Sequence, residues 1–306
     1  MKESRLWYGV YPALLTPFNE KEEIDFDIFK KNLLAQIDAG VSGVILAGTL
    51  GEASTLTAQE KFDLLTFAKG VVSPGFPVIL NIAEQATQEA VAIAVKAKEL
   101  GADGLMLLPP MRYKASDDEV VAYFKAVAKA TDLPILIYNN PVDYGIKVTL
   151  EMFEELIQCP TIQAVKESTR DTTNVTRMIN RFGDRIKILG GVDTIALETQ
   201  LMGAVGSVAG LVDAFPYETV AIFNLARAGR LNEALEIYRW FMPLLELDIH
   251  PKLVQYIKLA ATAEGLSNEY VRAPRLTLVG EERERILKII EDARASRPAL
   301  PDYKNL

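Results

Sequence analysis

Eight short runs of β-branched and apolar residues, at 8–18, 41–49, 77–84, 104–110, 134–141, 162–168, 186–193 and 204–211, alternate with stretches whose apolar residues recur at helical spacing. The intervening stretches, such as 57–72, 87–100 and 117–131, carry Ser, Thr or Asp near their starts, and Gly101 stands just past the end of one. Run starts recur roughly every 18 to 35 residues, which suits a strand, a helix and two short connections. Eight such units predict an α/β fold, a (β/α)8 TIM barrel over residues 1–225, with its site where the strands end at the C-terminal face. Beyond the eighth run the pattern is all helical, at 217–228, 231–247, 252–263 and 281–295. That predicts a C-terminal helical extension, residues 226–306, packed on the barrel side or against a partner. The apolar residues around Trp240, Phe241 and Met242 belong to its core.

With 306 residues, 49% of them hydrophobic, one large core is affordable, and no Ser/Gly-rich or low-complexity stretch divides it. The opening residues Met1–Trp7 lack the apolar centre of a signal peptide, and no apolar run reaches the length of a membrane span, so a cytoplasmic setting without a membrane partner is expected. A net charge of −8 and no basic cluster interleaved with aromatics argue against nucleic acid as a partner. Cys159 is the single cysteine, which excludes an internal disulfide. His250 is the single histidine and falls far along the chain in the helical region, where a helix-end position is expected. One histidine rules out His-rich zinc sites and leaves little room for Ser-His or Cys-His chemistry, so no metal and no cofactor are expected. Acids, bases and nucleophiles must come from Lys, Tyr, Thr, Asp and Glu.

Lys166 stands in the apolar run 162–168 and Tyr138 in the run before it, 134–141. Burying an unpaired ammonium costs several kcal/mol unless the group gives up its proton, and the neutral amine is the nucleophile that forms a Schiff base with a carbonyl. A strand lysine that snorkels to water would look the same in isolation. Tyr138 at the equivalent end of the adjacent strand favours chemistry. The other strand ends are Thr16 and Pro17, the turn Gly48–Glu52, Pro109 and Pro110, residues 190–193 with Gly190 and Gly191, and residues 207–210. Gly48 and Gly51 allow close backbone approach, so that the amides of Thr49 and Leu50 cradle a carboxylate. Together these residues describe a site for a 2-oxo acid: amides for the carboxylate, an amine for the ketone, a phenol for the protons.

The motifs Gly48–Glu52, Tyr138–Pro141 and Val165–Ser168, in this order, closely resemble the dihydrodipicolinate synthase and N-acetylneuraminate lyase family, and the likeness runs from Gly9–Phe18 into the helical extension. The resemblance implies a class I mechanism in which Lys166 forms the Schiff base, Tyr138 relays protons, and Thr49 links that tyrosine to bulk solvent or to a neighbouring subunit. It also implies a homotetramer built as a dimer of dimers.

Three positions depart from the dihydrodipicolinate synthase pattern. Leu50 replaces a usual threonine. Arg112, beside Tyr113, stands where a tyrosine donated across the dimer interface is expected. Val142, Asp143 and Tyr144 occupy the place of an arginine that would bind an aldehyde substrate's carboxylate, and Asp143 would repel such a group. Residues 138–142, 240–245, 252–258 and 272–276 instead resemble a catabolic branch, the 1-pyrroline-4-hydroxy-2-carboxylate deaminases. A small 2-oxo acid or cyclic imine with one carboxylate is the expected substrate, held by Gly48, Leu50, Gly191, Arg112 and Asp143. The alternatives are a 2-keto-3-deoxy sugar-acid dehydratase or aldolase, dihydrodipicolinate synthase itself, and a non-catalytic binding barrel. The last has no use for a buried amine.

Overall fold

The computed structural model describes residues 6–110 and 112–306, so the opening residues 1–5, read above for a leader, lie outside the described part. Eight strands are present: β1 Gly9–Pro12, β2 Val44–Leu46, β3 Val78–Ile82, β4 Gly104–Leu107, β5 Ile135–Asn139, β6 Ile162–Glu167, β7 Lys187–Gly190 and β8 Gly206–Ala209. All pairings are parallel, in the order β1-β8-β7-β6-β5-β4-β3-β2, and a parallel bridge from Ala13 to Ile45 joins the two ends. This is the closed (β/α)8 barrel expected. The strands are shorter than the apolar runs because each run continues into the loop that leaves the C-terminal end of its strand.

The helices on the outer layer are α1 Phe26–Ala39, α2 Ala58–Val71, α3 Thr87–Glu99, α4 Asp117–Ala130, the single turn α5 Pro141–Tyr144, α6 Leu150–Leu156, α7 Thr173–Phe182, α8 Ala196–Leu201 and α9 Pro216–Arg227. Capping boxes start α2 and α4. Thr57 and Glu60, and likewise Ser116 and Glu119, exchange side-chain and backbone hydrogen bonds, satisfying amides that the first helical turn leaves open.

Three further helices follow: α10 Leu231–Leu245, α11 Leu253–Ala263 and α12 Gly280–Ala295. The aromatic rings of Phe215, Trp240 and Phe241, with centroids 5.5 to 6.1 Å apart, seat α10 on the start of α9. Two contacts carry these helices over the barrel mouth as well as its side. The turn Glu246–Ile249 meets the turn Asp193–Ile195, and Lys258 on α11 pairs with Glu52 after β2 at 2.6 Å, both side chains fully enclosed. Among the described residues no helix is long and apolar enough to cross a membrane.

Candidate active site

Strand period decides which side chains of β5 and β6 face the barrel interior. Tyr138 pairs in register with Lys166, and Asn139 with Glu167. The second pair turns outward. Asn139 binds the backbone of Val148 through both ends of its amide and donates to Glu167 at 3.2 Å. Burial pushes the Glu167 carboxyl pKa up, and Asn174 on α7 is among its partners. This outer lock fixes the ends of both strands, and the alternation then leaves Tyr138 and Lys166 pointing into a cavity at the C-terminal mouth.

Lys166 is 7% exposed, and its Nζ lies 4.0 Å from the centroid of the Tyr138 ring. Among the described residues it makes no ion pair. The other deeply buried lysines do, Lys61 with Glu84 at 2.5 Å and Lys258 with Glu52. Burial holds the Lys166 amine below its usual 10.5, while Tyr144, Asp248, Asp193 and Asp143 pull in the other direction. Burial pushes Tyr138 up to about 12, against a hydrogen bond from Asn140 Nδ2 at 3.2 Å. Gly191 has no room for a side chain, since a Cβ there would meet Lys166 Cγ at 2.6 Å and Ser168 Oγ at 2.1 Å. Its missing side chain is what lets Lys166 lie along β6 toward the mouth.

Thr49 and Leu50 also line this cavity. Their turn is closed from behind by amides of Glu52 to Thr49 O and Ala53 to Gly48 O, each 3.1 Å. The two glycines of that turn, both expected to allow ligand approach, differ in their surroundings. A Cβ on Gly51 would strike Leu14 O at 2.7 Å, so its smallness serves packing beyond the end of β1; a Cβ on Gly48 would make only an ordinary contact, with Met106 at 3.6 Å.

The partner of Thr49 lies in the same chain. Thr49 Oγ1 and Tyr144 Oη share a hydrogen bond of 2.5 Å, and the Tyr144 ring meets Tyr138 edge-on at 5.4 Å and 90°. Burial raises the Tyr144 pKa. Tyr144 rides on α5, which Pro141 opens and Asn140 caps. Arg112 stands elsewhere than expected. It is exposed, its amide donates to Gln85 Oε1 at 2.7 Å, and it lines a second cavity whose wall also contains Thr49 and Tyr144. Tyr113 is 56% exposed. Asp143 does reach the Lys166 cavity, where it accepts from Asn140 Nδ2 at 2.7 Å and lies 4.0 Å from Arg170.

Sequence reading missed Tyr144, Arg170 and Asp248 as cavity residues. Tyr144 was within reach as the third residue of the departure after Pro141. Arg170, four residues past Lys166, holds a left-handed backbone conformation with φ of 62°, which turns the chain back over the mouth. His250 is exposed near the start of α11 and stacks on Tyr256 at 4.6 Å, away from this chemistry.

Comparison with known proteins agrees with the geometry. The model of the Dihydrodipicolinate synthetase family matches residues 7–293. A 4-hydroxy-tetrahydrodipicolinate synthase of Exiguobacterium sibiricum is 32% identical over 293 residues, covering 95% of this chain and 98% of the relative. A protein of the same name from Persephonella marina is 30% identical, covering 94% and 98%. Among solved structures, the dihydrodipicolinate synthase of Aquifex aeolicus superposes with a TM-score of 0.89 at 27% identity, covering 94% of this chain and 98% of that one.

Proposed function

The chain belongs to the Dihydrodipicolinate synthetase family and is a class I lyase that works through a lysine Schiff base; within that class, we propose that it is a 1-pyrroline-4-hydroxy-2-carboxylate deaminase with Lys166 as the nucleophile. The observation that carries this reading is Asp143 in the Lys166 cavity, a carboxylate that disfavours a second substrate carboxylate and accepts a hydrogen bond from a hydroxyl. The Lys166 amine adds to C2 of the cyclic imine. A C3 proton leaves through Tyr138, the C4–O bond breaks, and hydrolysis releases 2,5-dioxopentanoate and ammonia. The sum is one substrate and one water to one dioxo acid and one ammonia. Tyr138, Tyr144 and Thr49 form the proton path to the second cavity, all within one chain. A cytoplasmic dimer-of-dimers tetramer goes with this reading as an expectation.

Arg170 favours a second reading, 4-hydroxy-tetrahydrodipicolinate synthase, because it puts a cation at the cavity rim and the relatives carry that name. One pair of assays separates the two. Ammonia release from 1-pyrroline-4-hydroxy-2-carboxylate, with no condensation of pyruvate and aspartate semialdehyde, is expected; efficient condensation would overturn the choice.

Tyr144→Phe removes one hydroxyl from the proton path and is expected to lower kcat by about 10²-fold. Pyruvate capture by Lys166 should continue, since it needs only the amine. A wild-type kcat in the variant would take Tyr144 out of the relay.

A further inference from the structure

Asp248 is carried into the active-site cavity by the turn between α10 and α11, from outside the barrel strands that supply the rest of the site. Its carboxyl lies against the backbone just past β8, so close that a Cβ on Gly210 would sit 2.3 Å from Oδ1. Asp193 stands beneath it and accepts from the amides of Gly210 and Leu211 at 2.8 to 3.2 Å. The charged groups that act on Asp248 are Asp193, Lys166 and Asp143, and Asp213 feels its charge as well. We propose that Asp248 is the general acid that protonates the departing 4-hydroxyl of the Schiff-base intermediate, an assignment that rests on the elimination chemistry of the reading above.

The neighbours divide the charge unequally. Asp193 accepts from two backbone amides, whereas Asp248, partly open to the cavity, has one, that of Asp193, and the Asp193 carboxyl beside it. Burial, then the Asp193 charge, pushes its carboxyl pKa well above the ordinary range. A carboxyl that keeps its proton donates. That selects between the two reactions open to a 4-hydroxylated 2-oxo acid bound as an imine, because aldol cleavage of C3–C4 needs a base at the hydroxyl and elimination needs an acid. After C3 loses its proton, the enamine electrons move to form C3=C4 and restore the C2 iminium. The C4–O bond breaks with its electron pair on oxygen, and the Asp248 proton completes a water molecule. Asp248 recovers a proton from solvent before the next cycle.

The test uses the full-length Asp248→Asn variant, with its melting curve as the check on folding. Pyruvate has no leaving group, so exchange of its methyl protons in deuterated water reports Schiff-base formation and C3 proton removal without the proposed step. Exchange within about threefold of wild type and loss of ammonia release by about 10²- to 10⁴-fold are expected. Full turnover in the variant would overturn the assignment, and so would parallel loss of exchange and turnover, which would make Asp248 a residue that positions Lys166. Wild-type enzyme that exchanges pyruvate but eliminates neither from 1-pyrroline-4-hydroxy-2-carboxylate nor from a 2-keto-3-deoxy sugar acid would remove the elimination reading and this step with it. Wild-type elimination with an unaffected variant would remove Asp248 alone.

Discussion

Lys166→Ala is expected to abolish turnover, by about 10⁴-fold or more, the scale on which enzymes respond to loss of a covalent nucleophile. Incubating the wild-type protein with pyruvate and borohydride should add one covalent mass per chain, mapped to Lys166, and the variant should take up none. The grounds are comparative. A carboxylate 2.5 Å from Lys61 and another 2.6 Å from Lys258 keep those ammonium groups occupied, while Lys166 has only unbonded carboxylates around it and an aromatic face at 4.0 Å. Burial depresses its pKa, so the free amine gains population below the ordinary 10.5. Labelling should therefore rise with pH and level off before that value, the sign opposite to that of a group needed in its protonated form. Adduct on Lys61 or Lys258 would refute the assignment.

What was legible in the sequence was what repeats or what is chemically out of place. Eight apolar runs at regular spacing specify a barrel, because each is a strand enclosed on both faces. A lysine in such a run has few explanations, and register with Tyr138 follows once both strands are known. Asp248 was not legible, and Tyr144 was legible only as a position in the departure after Pro141, for a physical reason. An aspartate in a turn between helices reads as a solvated charge until the turn is folded over the mouth, and Asp248 gets there only because α10 and α11 flank it on the barrel. Tyr144 reads as a loop aromatic until Asn140 caps α5 and brings it to Thr49. Arg112 shows the converse. Its position relative to Pro110 suggested the pocket, yet the loop after β4 leads away to the second cavity.

The largest stability effect is expected at the same strand-end turn that carries Thr49. Glu52 holds a left-handed conformation, with φ of 58°, and accepts from Lys258 Nζ at 2.6 Å and from the Arg272 amide at 3.2 Å, with Arg275 at 3.5 Å. Lys258 also donates to Tyr270 O at 2.5 Å, and burial holds its pKa down at about 8 despite the facing carboxylate. Desolvating both partners offsets much of their attraction, so the intact pair adds little; removing Lys258 leaves the enclosed Glu52 carboxylate with only the longer Arg275 contact and the Arg272 amide. Lys258→Met is expected to destabilise the protein by about 3–5 kcal/mol, a fall in Tm of about 5–10 °C for a chain of this size. Glu52→Gln combined with Lys258→Met should recover at least half of that loss, because the stranded charge is gone. A single variant within about 1 kcal/mol of wild type in thermal or denaturant unfolding would contradict the argument. Function should register the change as well. Glu52 N closes the turn onto Thr49 O at 3.1 Å, so folded Lys258→Met protein should lose kcat through the Thr49–Tyr144 contact while still trapping pyruvate on Lys166.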